Sequence, residues 1–420
     1  MKGSLIKQHR KFKNMTLEEL ATGICSVSYL SKIEHNSINA SDEIYRLIGE
    51  RLNIKLTDIN QEFDERIYQK LLDWHEAIQL KDNELIEELS KECEQDLQEN
   101  HNIELSNLYT VIQVRQKMTT TYKPISKNDL NKLENILHGS SSVYQFLYFK
   151  TLGIHYLLTA QPKDALHQFL KAKKVMDKIP FQDYEVFFHL ALAYSKTRSF
   201  VESTYYAQEA LEGYQKSFNY SKMIDNYLII AINYNSLNAY HIAEEYLLKI
   251  LKLAKYHIPE TEKRRIYHNL GINYINQEKF EKAYHYLFLA YEIDTKESSF
   301  MSSTIYLLAL TSFYSGDRTK CMKYIEEGEK EAKKHGFTKY KHKFYILRNM
   351  LQESTHTEEF INKLENEIIP TFRELNEYKD YKYFVEMLAS IFYEKRLYKK
   401  SAMYFKEANN YQQVQKKDLL

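Results

Sequence analysis

Along most of this chain, apolar residues recur at the three- and four-residue spacing of helices, with small residues at regular intervals between them. The clearest stretch is residues 267–291, which reads YHNLGINYINQEKFEKAYHYLFLAY. Its small residues fit where two helices cross closely: Gly271, Ala283 and Ala290. Its large residues fill the gaps between those crossings: Tyr267, Leu270, Tyr274, Phe280 and Leu287. The pattern predicts two antiparallel helices joined by a tight turn, and further copies, because one hairpin cannot bury its own apolar side.

Further copies follow at a steady period. The small residue of the first helix recurs, in steps of 38, 40, 40, 38 and then 80 residues, at Gly153, Ala191, Ala231, Gly271, Ala309 and Ala389. The last step spans two periods, across a degraded copy near Leu351. The matching small residues of the second helices are Ala165, Ser203, Ala243, Ala283, Cys321 and Ser401. An aromatic residue or proline marks the turn at Pro162, Phe200, Tyr240, Phe280 and Tyr398, and Arg318 is the exception at the equivalent position. These offsets are those of tetratricopeptide repeats, so we predict that residues 141–420 form an all-α superhelix of such repeats.

The first sixty residues have a different pattern, which predicts a separate small domain. Thr16 and Glu19 have the spacing of a capping box, and Ser26 is a suitable N-cap for a helix over residues 27–34. The apolar residues expected to form its core are Leu17, Leu20, Ala21, Ile24, Leu30, Ile33, Ile44, Leu47, Ile48, Leu52 and Ile54. Two helices joined by a short turn, within a five-helix unit, make a helix-turn-helix.

The string TLEELATGICSVSYLSKIEHNSI resembles the phage-repressor-like (Xre) DNA-binding domain, over about residues 5–58. The segment between Ala21 and Ser28 is one residue shorter than in the commonest version. The resemblance implies that the second helix enters the major groove with its outward-facing residues Ser26, Val27, Ser28, Tyr29, Ser31 and Lys32. Lys32 is the best single candidate for reading a guanine edge. Candidates for DNA-backbone contacts are Lys2, Lys7, Lys11, His35 and Asn36.

Two residues of this domain are expected to be structural. In such domains a pair like Arg10 and Glu34 forms an internal salt bridge between the first helix and the recognition helix. The alternative to DNA binding is that the outward-facing residues are merely solvated, in a vestigial or protein-binding domain.

Residues 61–140 are predicted to be a linker and degenerate helical hairpins. Helices are expected over 66–80, 83–97, 103–119 and 128–137, and residues 61–64 are the expected junction with the domain at 1–60. Ten Gly and five Pro in 420 residues agree with a mostly helical chain.

Charge and motifs exclude several function classes. The net charge is +1, but residues 1–55 contain nine Lys and Arg against six Asp and Glu, so any nucleic-acid binding is local. Cys25, Cys93 and Cys321 lack ligand spacing, which favours reduced thiols and no metal site. We find no P-loop, G-x-G-x-x-G, HExxH or G-x-S-x-G, and expect neither an enzyme nor a cofactor. No signal peptide or membrane span is visible, so a cytoplasmic protein without membrane contact is expected.

The first helices of stacked hairpins line the concave side of a superhelix. Opposite Gly271 on the helical wheel lie Arg265, Asn269, Ile272 and Asn276, and the equivalent residues of other repeats include Glu185, His189, Leu192 and Lys196. Asparagine amides can pair with the backbone of any extended peptide. The candidate peptide-binding residues are therefore Arg265, Asn269, Asn276, Asn235, His189 and Lys196. The alternative is that they are ordinary exposed polar residues.

This combination of domains resembles the peptide-sensing regulators of Gram-positive bacteria (the Rgg, Rap, NprR, PlcR and PrgX group), and most of all the NprR branch. The resemblance implies a homodimeric or homotetrameric transcription regulator of quorum sensing, controlled by a re-imported signalling oligopeptide and bound to double-stranded operator DNA. Activation of extracellular protease genes is implied by the same resemblance.

Residues 71–89, LLDWHEAIQLKDNELIEEL, also resemble the opening bundle of Rap proteins, which bind response regulators of the sporulation phosphorelay. The glutamine that Rap phosphatases insert shortly before the position of Tyr109 is absent here. The alternative function is therefore an adaptor that sequesters a response regulator without hydrolysis, and both functions can coexist.

Overall fold

The structure is a computed structural model that describes residues 2–13, 15–35, 37–52, 63–100, 102–137, 140–254, 259–293 and 298–417. All regular secondary structure of these residues is helical, which confirms the predicted all-α class. No helix within the described ranges is long and apolar enough to cross a membrane. The chain divides into two compact units, residues 1–233 and 234–420.

The N-terminal domain contains four described helices, α1 (Lys2–Phe12), α2 (Leu17–Ala21), α3 (Val27–Glu34) and α4 (Asp42–Leu52). Its buried core consists of Ile6, Leu20, Ala21, Leu30, Ile33, Tyr45, Ile48 and Leu52. The prediction missed Tyr45, whose hydroxyl accepts a hydrogen bond from the Ala40 amide at 3.2 Å. Leu17, Ile24 and Ile44 pack at the edge of this core, and Ile54 lies outside the described residues.

The next four helices agree with the sequence prediction to within two residues at each end. They are α5 (Glu65–Leu80), α6 (Asn83–Glu99), α7 (Ile103–Thr121) and α8 (Lys127–Leu137). Trp74 of α5 is fully buried, and its ring centroid lies 5.3 Å from that of Tyr109 on α7. Ile103, the first residue of α7, packs against the core of the N-terminal domain.

The repeats follow as pairs of helices. In residues 1–233 they are α9 (Ser142–Leu158), α10 (Pro162–Met176), α11 (Tyr184–Lys196) and α12 (Phe200–Lys216), followed by α13 (Tyr220–Ser236), which continues past Asn233. The later helices are α14 (Tyr240–Ala254), α15 (Glu260–Asn276), α16 (Phe280–Glu292), α17 (Ser298–Tyr314), α18 (Arg318–His335), α19 (Thr338–Leu351), α20 (Glu358–Lys363), α21 (Ile369–Glu374), α22 (Tyr378–Glu394) and α23 (Tyr398–Lys417).

Every small residue that defined the repeat period is buried, as close helix crossing requires. At Gly271 the approach is so close that a Cβ atom would lie 2.3 Å from Cγ of Leu287 on α16. At Gly153 a Cβ would lie 2.5 Å from the Phe169 ring of α10. Larger side chains at these two positions would push the paired helices apart.

The turns have one conformation in common. Each residue predicted to mark a turn is the first residue of a second helix, and two positions earlier stands a residue with positive φ: Ala160, Arg198, Asn238, Glu278, Gly316 and Arg396. Only one of these six is glycine, so the low glycine count did not prevent left-handed turns.

The degraded copy near Leu351 is also a hairpin. Its first helix is α19, and its second consists of α20, a π-helical turn over Leu364–Ile368, and α21. Pro370 in the first turn of α21 has no N–H for the usual bond to the carbonyl four residues earlier. The i→i+5 bond from the Ile369 amide to the Leu364 carbonyl accommodates this interruption.

Candidate functional site

Helix α3 is fixed at its start by a side-chain cap. The Ser26 hydroxyl accepts the Tyr29 amide at 3.2 Å. The preceding helix α2 begins with a complete capping box, in which Thr16 accepts the Glu19 amide at 3.1 Å and donates its own amide to the Glu19 carboxylate at 2.6 Å. Arg51 of α4 closes the turn between the two helices by donating to the carbonyls of Leu20 and Thr22. The turn that sets the angle of α3 is therefore held at both ends.

The outward side of α3 carries most of the predicted DNA-contacting side chains. Ser28 and Lys32 are exposed, and Val27 is 43% exposed although it is apolar. Ser31 is half-buried, and Tyr29 is half-buried and packs against the domain core. Ser26 is exposed but already serves as the helix cap. The first turn of α3 thus presents a small, partly apolar surface of the kind that contacts base edges and thymine methyl groups.

Arg10 and Glu34 form a buried, two-pronged ion pair between α1 and α3. Arg10 Nε lies 2.6 Å from Glu34 Oε1, and a second guanidinium nitrogen lies 2.8 Å from Oε2. The remaining guanidinium nitrogen donates to the Met15 carbonyl at 2.9 Å. The Glu34 hydrogen bond raises the pKa of Arg10. This geometry orients α3 on the domain and leaves neither group for DNA.

The candidates for DNA-backbone contacts have different surroundings. Lys11 is exposed, and Lys7 is half-buried with its Nζ 3.4 Å from Nε2 of His35. This contact brings two of the predicted contact residues together at the end of α3. The Lys2 side chain and Asn36 lie outside what the structure describes.

In residues 234–420, four predicted peptide-binding residues lie on or beside α15, all half-buried. The Asn276 amide donates to Oδ1 of Asn235 at 3.1 Å, so these two side chains meet. Asn269 donates to the Arg265 carbonyl one turn earlier at 2.8 Å. Arg265 itself pairs with Glu262 at 2.7 Å, with 40% of its side chain exposed. The result is a polar, partly accessible surface that contains two asparagine carboxamides within one helix.

The equivalent positions of α11, in residues 1–233, are covered. Glu185 and His189 correspond to Arg265 and Asn269 in the repeat, yet they are only 3% and 8% exposed. The His189 ring stacks on Phe169 at 5.2 Å. The prediction that Glu185 and His189 lie exposed on a concave face is therefore wrong for these two residues. Only Lys196, at the end of α11, is exposed.

The covering is done by α5 and α7 through a buried network of charges. Lys150 Nζ on α9 lies 2.6 Å from Asp183 and 2.9 Å from Glu185. The other ion pairs and hydrogen bonds are His75–Asp183 at 3.2 Å, Gln79–Asp183 at 3.0 Å, Arg115–Glu185 at 3.5 Å, Lys222–Glu185 at 3.6 Å and His189–Glu185 at 3.7 Å. Residues 108 positions apart along the chain are thereby joined.

The charge states in this network follow from burial and from Lys150. Burial alone would raise the pKa of the Asp183 and Glu185 carboxyls, but the Lys150 ammonium and the other nearby donors outweigh it, so both pKa values lie below their usual range. Burial lowers the pKa of His75 and His189, so both rings are neutral near pH 7. Three cationic side chains therefore face two carboxylates.

Two buried asparagines that sequence reasoning passed over hold repeats together. The Asn233 amide donates to the hydroxyls of Ser203 and Thr204 at 2.8 and 3.1 Å. Asn273, the equivalent residue of the next repeat, donates to the Tyr240 carbonyl at 3.0 Å. Their recurrence after 40 residues, each two positions after the small residue of its helix, was the signal that could have identified them.

The fold and the α3 surface together define a helix-turn-helix protein with tetratricopeptide-like repeats. A family model described as helix-turn-helix matches residues 6–59. The transcriptional activator NprA of Geobacillus stearothermophilus is 28% identical over 402 residues, which are 92% of this chain and 97% of NprA. The regulatory protein RapD of Bacillus subtilis (strain 168) is 24% identical over 290 residues, 66% of this chain and 80% of RapD.

Solved structures support the fold. The apo form of the quorum sensor NprR from B. thuringiensis covers 83% of this chain and 99% of its own length, at a TM-score of 0.72 and 20% identity. NprR in complex with its cognate peptide NprX matches with a TM-score of 0.62, also at 20% identity, covering 83% and 99%. These similarities confirm the predicted fold class and the predicted resemblance to the NprR and Rap regulators.

Proposed function

We propose that this chain is a cytoplasmic transcription regulator of quorum sensing that binds an operator in double-stranded DNA through α3. The observation that carries the proposal is the rigidly held α3, capped by Ser26 and tied to α1 by Arg10 and Glu34, with Val27, Ser28 and Lys32 turned outward. NprA, which matches nearly the whole chain, is a transcriptional activator. Two copies in a dimer or tetramer would place two α3 helices one helical turn of DNA apart.

DNA binding is gated, in this proposal, by a short signalling peptide bound on the repeats. The surface of Arg265, Asn269, Asn276 and Asn235 supports this part, because each carboxamide can accept from a peptide N–H as well as donate to a peptide carbonyl. Lys196 remains a candidate on α11, whereas His189 is buried. NprR has been solved with its cognate peptide NprX. Activation of extracellular protease genes is the expected output.

The DNA-binding part is tested by selecting fragments of the source genome with the full chain and measuring fluorescence anisotropy on the selected fragment. The logarithm of the association constant should fall linearly with the logarithm of the salt concentration. Lys32→Ala should lower the binding free energy by about 1–3 kcal/mol and relax the sequence preference at one position. Lys13→Ala, at an exposed lysine outside α3, is the matched control. If no fragment binds more tightly than bulk DNA, or both variants behave alike, α3 does not read DNA.

A second candidate function is an adaptor that binds a response regulator of the sporulation phosphorelay through α5–α8. The match to RapD, together with the well-formed α5–α7 bundle, favours it. Lys32→Ala separates the two functions without removing any domain, since an adaptor should retain its partner while DNA binding falls. The measurement is whether a purified response regulator co-purifies with the wild-type chain and with the Lys32→Ala variant.

A further inference from the structure

The positions of Arg265, Asn269, Ile272 and Asn276 on α15 have equivalents on later helices of residues 234–420. They stand six and two residues before the small residue of the helix, and one and five residues after it. On α17, counted from Ala309, these positions hold Ser303, Leu307, Leu310 and Tyr314. On α22, counted from Ala389, they hold Tyr383, Met387, Ser390 and Glu394. The face is therefore polar on α15, mostly apolar on α17 and mixed on α22.

Water reaches this face on both later helices, unlike the covered face of α11. Tyr314 is 47% exposed and Tyr383 is 45% exposed, while Leu307, Leu310 and Met387 are half-buried. Burial and the nearby Tyr314 side chain raise the pKa of Tyr383, so the two tyrosines lie close together. Exposed apolar side chains that adjoin one another mark a surface that contacts another molecule.

On α22 this face forms a cavity of about 390 Å³. All four α22 positions given above line it, so the repeat register and the cavity coincide. The apolar part of the cavity consists of Tyr383, Met387 and Ile391 of α22 and Met350 at the end of α19. Methionine side chains are unbranched and adaptable, so this part can accept apolar side chains of several shapes.

The polar part of the cavity is acidic. Glu386 and Glu394 line it, whereas the lining, which lies entirely in the described residues, contains no lysine or arginine. Glu394 pairs with His356 of the lining at 2.6 Å, and Glu386 pairs with Lys382 at 3.5 Å. The Glu394 and Glu386 side chains are 63% and 42% exposed, and a carboxylate has about four acceptor sites, so each can accept from a further donor. A ligand group that combines positive charge with an apolar body is complementary to this cavity.

The distance from α15 to the cavity matches a short peptide. The path leads from α15 through α17 and α19 to α22, and packed helices lie about 8–10 Å apart, so it spans about 24–30 Å. An extended chain covers about 3.3–3.6 Å per residue, so roughly eight residues suffice. On α19, Lys343 is paired with Asp380 at 2.9 Å, so its charge is compensated.

We propose that the peptide-binding surface continues from α15 across α17 to this cavity, and that its peptide has an apolar centre and a positive charge at the end bound on α22. This inference rests on the proposed function, because it extends the peptide surface given there. The apolar centre packs on Leu307, Leu310 and Tyr314, and the positive group donates to Glu386 and Glu394. That group is the α-ammonium of the peptide or a Lys or Arg side chain.

The cavity is probed by itself with three dipeptide amides that differ in charge. Leu-Leu amide has a free α-ammonium, N-acetyl-Leu-Arg amide has only a basic side chain, and N-acetyl-Leu-Gln amide is neutral. In the full chain, isotope-labelled in its methionine methyl groups, the resonances of Met350 and Met387 should shift saturably with a cationic probe. The resonance of Met403, an exposed methionine of α23, should not shift. The neutral probe should bind about fivefold more weakly.

The source of the charge follows from which cationic probe binds. Binding of Leu-Leu amide alone identifies the α-ammonium, binding of N-acetyl-Leu-Arg amide alone identifies a basic side chain, and binding of both means that the cavity accepts either. The double variant Glu386→Gln and Glu394→Gln should weaken the better cationic probe about fivefold and leave the neutral probe unchanged. Glu374→Gln, at an exposed glutamate of α21 outside the cavity, is the matched control.

An octapeptide selected on the full chain from a random synthetic library tests whether the two ends form one surface. Its affinity should fall about fivefold in the double glutamine variant and about tenfold in Asn269→Ala. A loss in Asn269→Ala alone, no saturable shift of Met350 and Met387, or equal binding of cationic and neutral probes overturns the extension to α22 but leaves the α15 surface standing. If no octapeptide binds, or only the double glutamine variant loses affinity, the peptide surface on α15 fails and this inference with it.

Discussion

Helices α11 and α15 occupy the same place in the repeat, but they use it differently. On α11 the positions six and two residues before the small residue hold Glu185 and His189, both buried in a network with α5, α7 and α9. On α15 they hold Arg265 and Asn269, both half-buried, and here Asn269 donates to the Arg265 carbonyl while Arg265 pairs with Glu262 of the same helix. The same backbone position is thus used for packing in one repeat and for a polar surface in another.

This difference shows that repeat position alone does not assign a groove. What decides is whether another element covers the face, and in residues 1–233 the covering element is the bundle of α5–α7. An acidic residue such as Glu185 is tolerated there because Lys150 and Arg115 compensate its charge. On α15 the Arg265–Glu262 pair is 40% and 24% exposed at its two side chains, so water solvates both charges.

The largest effect should come from removing the cation at the centre of the α11 network. Lys150→Met leaves two buried carboxylates without their closest ammonium, so the free energy of unfolding should fall by about 3–5 kcal/mol. Arg265→Met, which breaks a half-exposed pair on α15, should cost less than about 1 kcal/mol. Urea denaturation of both variants measures this. Equal losses would mean that the two faces do not differ.

The next largest effect is the dependence of stability on pH, which the buried histidines cause. Burial lowers the pKa of His268 on α15 to about 4, chiefly by desolvation. The unfolded chain takes up a proton near pH 6.5 and the folded chain does not, so stability is present above pH 6.5 and falls as the pH decreases toward 4. At pH 5 this histidine should account for about 2 kcal/mol of the loss.

Replacement of the histidine tests this assignment. His268→Gln should flatten the dependence of unfolding free energy on pH between 7 and 5, whereas replacement of the exposed His241 by Gln should not. His75 and His189 act in the same direction, so part of the dependence should remain. A variant with the wild-type slope would show that His268 is accessible to protons in the folded state.

The smallest of the stability effects concerns the close crossing itself. In Gly271→Ala the new Cβ would lie 2.3 Å from Leu287, and the cost of the clash exceeds the gain in helix propensity, for a net loss of about 1 kcal/mol. Gly336→Ala is the matched control, because nothing lies within 4 Å of its Cβ and its φ of 69° alone is unfavourable. Thermal melts of a double-mutant cycle identify the crossing as the cause if Gly271→Ala costs no stability in the Leu287→Ala background, while Gly336→Ala costs the same in both backgrounds.

The sequence predicted the repeats well because their small residues are set by local sterics. Ala191, Gly271 and Ala389 must be small wherever two helices cross, so their spacing alone revealed the hairpins. The helix caps at Thr16 and Ser26 were predictable because they depend only on neighbouring residues. The Arg10–Glu34 pair was predictable because the resemblance to a known DNA-binding domain implies it. The burial of Glu185 and His189 was not predictable, since it depends on contacts of Glu185 with Arg115 and Lys150, which belong to helices distant in the chain. The charge pattern of α11 gave no sign of this covering.

In the proposed function, peptide bound on α15 changes the affinity of α3 for DNA. The most direct measurement is the Kd of the full chain for its selected genomic fragment, by anisotropy, with and without saturating peptide fractionated from conditioned medium of the source organism. We expect at least about a fivefold change for the wild-type chain, and a change that needs about tenfold more peptide in Asn269→Ala. An unchanged Kd at every peptide concentration, or identical peptide dependence in both proteins, would contradict it.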